Sequence, residues 1–199
     1  MPNSDDDRMK TVRAWVWSGF YGPEEVDGLI DQMVEDDAGQ ADAGQVGADR
    51  GTLCAAAGRE FAAKAAAERR WPAVTDCDRL DQAFDALEAA GVVTLQNAGY
   101  TMSDGLSDVS AEYLDRGRPA GVRGWCFYHG QDLERAVLGG GLLLAFGTFA
   151  DEAPEHRAAV GQLVKDTLER HGLSVAWSGD PGDRLKVGTD WKRRGAGPD

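Results

Sequence analysis

The spacing of apolar residues in the first third of the chain predicts one short element and two helices. Over 11–17, valine and alanine occupy every second position, a period that predicts a strand, although the start of a helix also fits. Pro23, two glutamates and an apolar stripe at helical spacing predict a helix over 23–36. An alanine-rich segment with a narrow apolar face predicts another helix over roughly 50–70.

The two predicted helices are separated by a stretch that is poor in large apolar side chains. Over 36–49 the only such residue is Val46, and alanine, glycine, glutamine and aspartate make up the rest. This composition buries too little surface to offset the entropy of ordering. We therefore predict an acidic helical segment over 1–72 with a linker at 36–49, an α/β domain over 73–194 and a tail at 195–199.

The second part of the chain alternates between helix and strand patterns. Thr75 and Asp78 have the spacing of a capping box, and the helix that they begin ends at Gly91. The strands predicted after it are 92–96, 122–129, 142–149, 173–177 and 184–191, and the helices are 104–114, 132–138 and 154–171. A turn signal at 180–183 predicts that the last strand returns antiparallel to its predecessor. We expect an α/β or α+β fold with a mixed sheet, preceded by a helical part.

The charge of the chain is strongly negative and uneven. There are 21 basic and 34 acidic side chains, a net charge of −13, and residues 1–90 alone carry −10. Because this charge repels phosphate backbones and anionic lipid, we expect neither nucleic acid nor a membrane as a partner. The longest apolar run, 137–147, has 11 residues interrupted by three glycines, well short of the roughly 20 that span a bilayer.

Cysteine usage and the first residues indicate a cytoplasmic protein. The three cysteines, Cys54, Cys77 and Cys126, are odd in number and widely spaced, which argues against a disulfide framework. The acidic first residues contain no apolar segment of the kind found in a secretory signal. We therefore expect reduced and buried thiols.

Two patterns that resemble binding motifs fail on geometry. Cys126 and His129 are three positions apart on a predicted strand, where odd offsets point to opposite faces, so they cannot converge on a zinc ion. The glycines of 139–141 close a helix and precede a strand, whereas a phosphate-binding loop follows a strand and opens a helix. We expect no metal site and no cofactor.

One basic cluster with tryptophans lies near the end of the sequence. Its members are Arg184, Lys186, Lys192, Arg193 and Arg194, with Trp177 and Trp191. Basic and aromatic side chains together can bind single-stranded nucleic acid. We favour a structural interpretation, in which the tryptophans pack on the sheet and charges on the edge strand prevent edge-to-edge association.

The strongest candidate site lies where a predicted strand ends and a helix begins. Open α/β sheets bind ligands at such strand ends, and if neighbouring strands run parallel, the segments that follow them, including Asp180, meet at one edge. The candidate ligand edge comprises Asn97, Tyr128, His129, Gln131, Asp132 and Thr148. His129 could titrate there near neutral pH, and the N-terminus of the following helix could hold an anion.

A structural interpretation of the same residues is also open. Asp132 can cap or charge the first helical turn, and His129 can satisfy buried polar groups at the boundary of the sheet. The two interpretations differ in burial, because a functional His129 should be partly exposed and poorly packed.

Four segments of the second part form a recognisable series. They are TDCDRLDQAF from Thr75, GVV from Gly91 with Asn97, FYHGQDLERAV from Phe127 and GGGLLLAFG from Gly139. This series resembles an uncharacterised bacterial family of domains of unknown function, over roughly 75–194. The resemblance implies no activity, because that family has no assigned chemistry.

Two classes of function are consistent with the sequence. The chain carries no catalytic signature and its N-terminal half is strongly acidic, which favours a non-enzymatic interaction module that binds another protein. The alternative is a small-molecule-binding protein or an enzyme that uses the strand-end edge around His129. The sequence indicates no oligomeric state.

Overall fold

The chain forms two compact units, one of which is helical while the other contains the sheet. The structure is a computed structural model that describes residues 5–37, 43–149 and 153–195. The first unit comprises Met1–Ala73 with Lys192–Asp199, and the second comprises Val74–Trp191. None of the described helices combines the length and the apolar character that crossing a membrane requires.

Three helices build the first unit: α1 (Asp5–Ser18), α2 (Pro23–Asp37) and α3 (Ala43–Glu68). Their shared core contains valines of α1, apolar residues of α2 and the small apolar face of α3. The buried members are Val12, Val16, Val26, Ile30, Val34, Leu53 and Ala57. The helix predicted over 23–36 is confirmed, and the alanine-rich helix is longer than predicted.

The strand predicted over 11–17 is wrong, because this segment lies inside α1. α1 packs against both α2 and α3. A helix buried on two sides carries large side chains at most positions, and such a run mimics a period of two. Val12 and Val16, one helical turn apart, mark the true period.

The stretch predicted as a linker is bounded by helix on both sides. α2 continues through Asp37 and α3 begins at Ala43, so both ends of the predicted 36–49 segment are helical. Small residues such as alanine extend a helix at little cost even when they bury little surface, which composition alone does not register. Residues 38–42 lie outside the described residues.

The second unit alternates helices and strands, as predicted. Its elements are α4 (Asp76–Ala89), β1 (Val92–Leu95), α5 (Met102–Asp115), β2 (Gly124–Phe127), α6 (Gly130–Val137), β3 (Leu142–Gly147), α7 (Pro154–Arg170), β4 (Ser174–Ala176) and β5 (Leu185–Gly188). The capping box that begins α4 is confirmed, since the Thr75 side chain accepts from the Asp78 amide and the Asp78 carboxylate accepts from the Thr75 amide. β5 ends three residues earlier than predicted; beyond it the Asp190 amide donates to the Asp76 carboxylate at 3.0 Å.

The sheet is mixed, with strand order β1-β2-β3-β5-β4. β1 and β2 pair in parallel, and the other three pairs are antiparallel. The prediction of a mixed sheet with an antiparallel C-terminal pair is therefore confirmed.

Helices cover both faces of this sheet, and alternate residues of β2 mark the two faces. On one face α4 packs against the ring of Tyr128, whose centroid lies 6.1 Å from that of Phe84. On the other face α5 packs against Phe127, so closely that a Cβ atom on Gly105 would lie 2.3 Å from the ring. The face that carries Phe127 also carries Trp125 and Ala145, and the candidate site lies there.

Candidate functional site

The parallel pair of β1 and β2 places two of the candidate segments at one edge of the sheet. The ladder continues beyond the strands, because the Ala98 amide donates to the Tyr128 carbonyl at 2.9 Å. Asn97, in the left-handed backbone region with φ 52°, therefore turns beside the segment that leads to His129. Asn97 and His129 share an edge, as the sequence predicts for parallel strands.

Thr148 and Asp180 lie at the opposite edge. β3 runs antiparallel to β2, so the end of β3 adjoins the start of β2, and Gly147 pairs with Trp125. β4 and β3 are both antiparallel to β5, so β4 also ends at that opposite edge. The expectation that Thr148 and Asp180 join His129 is wrong, because it required parallel neighbours.

The N-terminus of α6 is not open to an anion. The amides of Gly130 and Gln131 donate to the carbonyls of Gly99 and Tyr100 at 2.9 and 3.2 Å, and the Asp132 amide donates to the carbonyl of His129 at 3.0 Å. These bonds use the donors that an anion would need. The anion site expected at this helix start is therefore excluded by the loop that precedes α5.

A cluster of three charged or titratable side chains takes the place of that anion site. Nη1 of Arg184 donates to both carboxylate oxygens of Asp132, at 2.9 and 2.8 Å. Nε2 of His129 lies 3.0 Å from Oδ2 of Asp132 and 3.4 Å from Nη1 of Arg184. The shorter distance to the carboxylate favours the tautomer in which Nε2–H donates to Asp132.

His129 is buried within this cluster, with only 4% of its surface exposed. Burial lowers the pKa of His129 below its usual 6.5; the Asp132 carboxylate opposes the shift and the Arg184 guanidinium adds to it. The ring is therefore neutral at neutral pH. The functional interpretation expected a partly exposed His129, and the structure contradicts that expectation.

Two other predicted site residues point away from the cluster. The Tyr128 hydroxyl donates to Oε1 of Gln96 at 2.9 Å, and Nε2 of Gln96 donates to Asp81 of α4 at 2.8 Å. Tyr128 is fully buried on the α4 side of the sheet, and Gln131 is exposed on α6. A strand places consecutive residues on opposite faces, which explains why Tyr128 and Phe127 separate.

Beside Arg184 lies a cleft of about 320 Å³ on the Phe127 side of the sheet. We call it the Arg184 cleft and define it by six of its lining residues, Met102, Leu106, Trp125, Thr148, Arg157 and Arg184. Arg184 belongs both to the wall of this cleft and to the buried cluster behind it. The volume falls at the lower end of the 300–1,000 Å³ or so that is typical of small-molecule sites.

The indole of Trp125 is held firmly in the cleft wall. Its Nε1 donates to the Thr148 carbonyl at 3.2 Å, and its ring stacks on Phe127 with centroids 5.3 Å apart. The absence of a side chain at Gly147 makes room for it, because a Cβ atom there would lie 2.5 Å from the indole. The cleft is therefore lined by a firmly held aromatic side chain together with Arg184.

Sequence reasoning missed most of this cleft. The sequence pattern places Arg184 in a basic cluster, and nothing local connects it to Asp132, which lies 52 positions earlier. Arg157 and Trp125 carry no motif, and only their convergence in the fold identifies them. The structural interpretation of the tryptophans fits better: Trp191 is 8% exposed with its ring centroid 6.1 Å from that of Tyr128.

Among the described residues we find neither a reactive thiolate at Cys126 nor a cluster of metal ligands that would add chemistry to the cleft. Burial raises the pKa of the Cys126 thiol far above its usual value, which removes it as a thiolate nucleophile. Within the described part of the chain, no three His, Cys, Asp or Glu side chains converge as metal ligands. The arrangement is suited to hold a charged group by hydrogen bonds and ionic attraction.

Comparison with known proteins gives a family and no activity. The sequence matches the family described as Domain of unknown function (DUF6891) over residues 2–195, which includes the helical unit as well as the sheet. No curated protein matches the chain. No solved structure matches it either. The chain therefore belongs to the DUF6891 family.

Proposed function

We propose that this protein binds a small anionic molecule in the Arg184 cleft. The observation that carries the proposal is that two arginines, Arg157 and Arg184, line one cleft in a chain of net charge −13. A local positive wall on an acidic protein selects anions from solution. Asp132 orients Arg184 before any ligand arrives, which lowers the entropy lost on binding.

This proposal corresponds to the small-molecule alternative drawn from the sequence. The proposed site is now the Arg184 cleft rather than the strand-end edge around His129. The ligand contacts Arg184 and Trp125 on the cleft side, while His129 and Asp132 act behind the guanidinium. Their role is positioning, because both are almost fully buried.

The test is thermal unfolding of the full chain with inorganic phosphate, acetate and benzoate at constant ionic strength. A ligand at ten times its Kd stabilises the folded state by about 1.4 kcal/mol, which a melting experiment resolves. We expect at least one of these anions to raise the Tm of the wild type.

Two variants distinguish a site from general charge screening. Arg157→Gln should reduce the anion-induced rise in Tm, whereas Arg123→Gln, an exposed arginine outside the cleft, should leave it unchanged. Equal rises in both variants, or no rise with any anion, would contradict the proposal.

A protein interaction through the acidic helix α2 is a second candidate function. Five acidic side chains of α2 are exposed: Glu24, Glu25, Asp27, Glu35 and Asp36. Their charge favours a partner with a basic surface, and electrostatic attraction of this kind weakens with salt. A pull-down from native lysate with mass spectrometry tests it: a partner should be retained by the wild type and lost when these five are changed to glutamine or asparagine. Equal retention by both would argue against α2.

A further inference from the structure

Arg184 donates to Asp132 through one of its three guanidinium nitrogens. Only Nη1 contacts Asp132, and within the described residues Nε and Nη2 form no hydrogen bond. The Arg184 side chain is 33% exposed, whereas that of Asp132 is 3% exposed. Nε–H and Nη2–H lie in the guanidinium plane and point in parallel from the same edge of it, and this pair matches the two oxygens of a carboxylate.

Two large apolar side chains, Trp125 and Leu106, line the same cleft as Arg184. The Trp125 indole is fixed there by its bond to the Thr148 carbonyl and by the space at Gly147. Leu106, on α5, also lines the cleft and is 39% exposed, which is high for a large apolar side chain. A ligand with an apolar body would cover both side chains and remove their surface from water.

The charges on the cleft wall fit one negative charge better than two. The charged lining residues that the structure describes are Arg157, Asp183 and Arg184, with a net charge of +1. Asp132 lies directly behind Arg184 and reduces its attraction for a second negative charge. A phosphate dianion would also meet the Asp183 carboxylate on the same wall.

We infer that the ligand is a small planar monocarboxylate with an aromatic body. Its carboxylate binds Nε and Nη2 of Arg184, and its ring lies against Trp125 and Leu106. This inference rests on the proposed function and adds the class of ligand to it. A cleft of about 320 Å³ accommodates one ring with its carboxylate and excludes a dinucleotide.

The test compares four probes on the full chain by calorimetric titration: benzoate, cyclohexanecarboxylate, acetate and phenyl phosphate. We expect benzoate to bind at least about tenfold more tightly than acetate or phenyl phosphate, and more tightly than its non-planar analogue. In the wild type, the Nε–H resonance of Arg184 should shift on addition of benzoate, a measurement that needs no variant.

Two variants measure separately what the Arg184 donors and the Trp125 ring contribute to benzoate binding. Arg184→Lys keeps the charge and removes the planar pair of donors, so it should weaken benzoate by about tenfold or more, whereas Arg123→Lys should not. Trp125→Leu should abolish the preference for benzoate over acetate and leave acetate binding in place. If Arg184→Lys fails to fold, the Nε–H shift and Trp125→Leu still decide the question.

The outcomes separate the inference from the proposed function. If acetate, benzoate and phenyl phosphate bind equally and all shift the Arg184 resonance, the cleft binds anions and the aromatic carboxylate is wrong. A tenfold preference for phenyl phosphate also overturns the inference while the proposed function stands. If no probe binds the folded protein at millimolar concentration, both are wrong.

Discussion

Arg184 and Asp132 form an ion pair whose two partners differ sharply in their access to water. Nη1 of Arg184 lies 2.9 and 2.8 Å from the carboxylate oxygens, yet the Asp132 side chain is 3% exposed and that of Arg184 is 33% exposed. The arginine can reach solvent if it loses its partner. The aspartate cannot, so the two partners should not be equivalent in mutagenesis.

We expect the removal of Arg184 to cost more stability than the removal of the charge on Asp132. Among the described residues, Arg184→Met leaves the buried Asp132 carboxylate with His129 as its one side-chain partner, and should cost near the lower end of the roughly 3–5 kcal/mol measured for broken buried pairs. Asp132→Asn keeps the shape and frees an arginine that can hydrate, at about 1–3 kcal/mol. Urea unfolding measures both.

An exposed acid provides the control for this comparison. Asp108 lies on the surface of α5, and Asp108→Asn should change the free energy of unfolding by no more than about 0.5 kcal/mol. An Asp132→Asn variant as destabilised as Arg184→Met would show that the two partners are equivalent.

The buried His129 should make stability depend on pH in the mildly acidic range. Its pKa in the folded protein is lowered below 6.5 by burial and by the Arg184 guanidinium, whereas Asp132, Asp104 and the Tyr100 backbone oppose the shift. As pH falls, the unfolded chain therefore takes up this proton before the folded protein does. The contribution of His129 to the free energy of unfolding is fully present above pH 6.5 and is lost as pH falls toward the folded pKa. Chemical unfolding at pH 7.5 and 5.5 should show this loss as a difference between the wild type and His129→Gln.

His129→Gln should flatten that profile because glutamine can still donate to Asp132 but does not titrate. His156, which is exposed on α7, gives the control, and His156→Gln should retain the wild-type dependence. Burial raises the pKa of Glu134, which acts in the opposite direction, so the comparison must be made between variants rather than from the wild type alone. Identical profiles for the wild type and His129→Gln would refute the assignment.

Local signals predicted the second unit well and the first unit less well. The capping box at Thr75, the alternation after Gly91 and the turn before β5 each act within a few residues, and all three appear in the structure. For the N-terminal helix α1 the pattern favoured a strand and left a helix start as the alternative, because burial on two sides obscures the helical period. Periodicity indicates which residues are buried, and it identifies the element only when a single face is buried.

Of the predicted neighbours of His129, the sheet brings Asn97 to the same edge and sends Thr148 to the opposite one. Asn97 and His129 share an edge because β1 and β2 are parallel, but the antiparallel β3 sends Thr148 to the other end of the sheet. Strand direction depends on long-range pairing that no local pattern encodes. The same holds for Arg184, whose contact with Asp132 exists only once β5 has joined β3.

A variant of Tyr128 distinguishes ligand binding at the predicted strand-end edge from binding in the Arg184 cleft. Its hydroxyl donates to Gln96 at 2.9 Å on the opposite face of the sheet, so Tyr128→Phe should cost about 1 kcal/mol and leave anion binding unchanged. Urea unfolding and a benzoate titration on the same variant provide the two readouts. A loss of benzoate binding by folded Tyr128→Phe would indicate that benzoate binds at the strand-end edge instead of the Arg184 cleft.

Gly147 controls the position of the Trp125 indole and therefore the shape of the cleft. A Cβ atom at position 147 would lie 2.5 Å from Cζ2 and 2.8 Å from Cε2 of Trp125, so Gly147→Ala must displace the ring, at about 1–3 kcal/mol for an overpacked core. Gly58, in the middle of α3, has open space at its Cβ position, and Gly58→Ala should instead stabilise by roughly 0.5–1 kcal/mol. Urea unfolding measures both changes. Benzoate binding should weaken only in Gly147→Ala, and a Gly147→Ala protein with wild-type stability and wild-type benzoate affinity would show that the indole does not form the cleft wall.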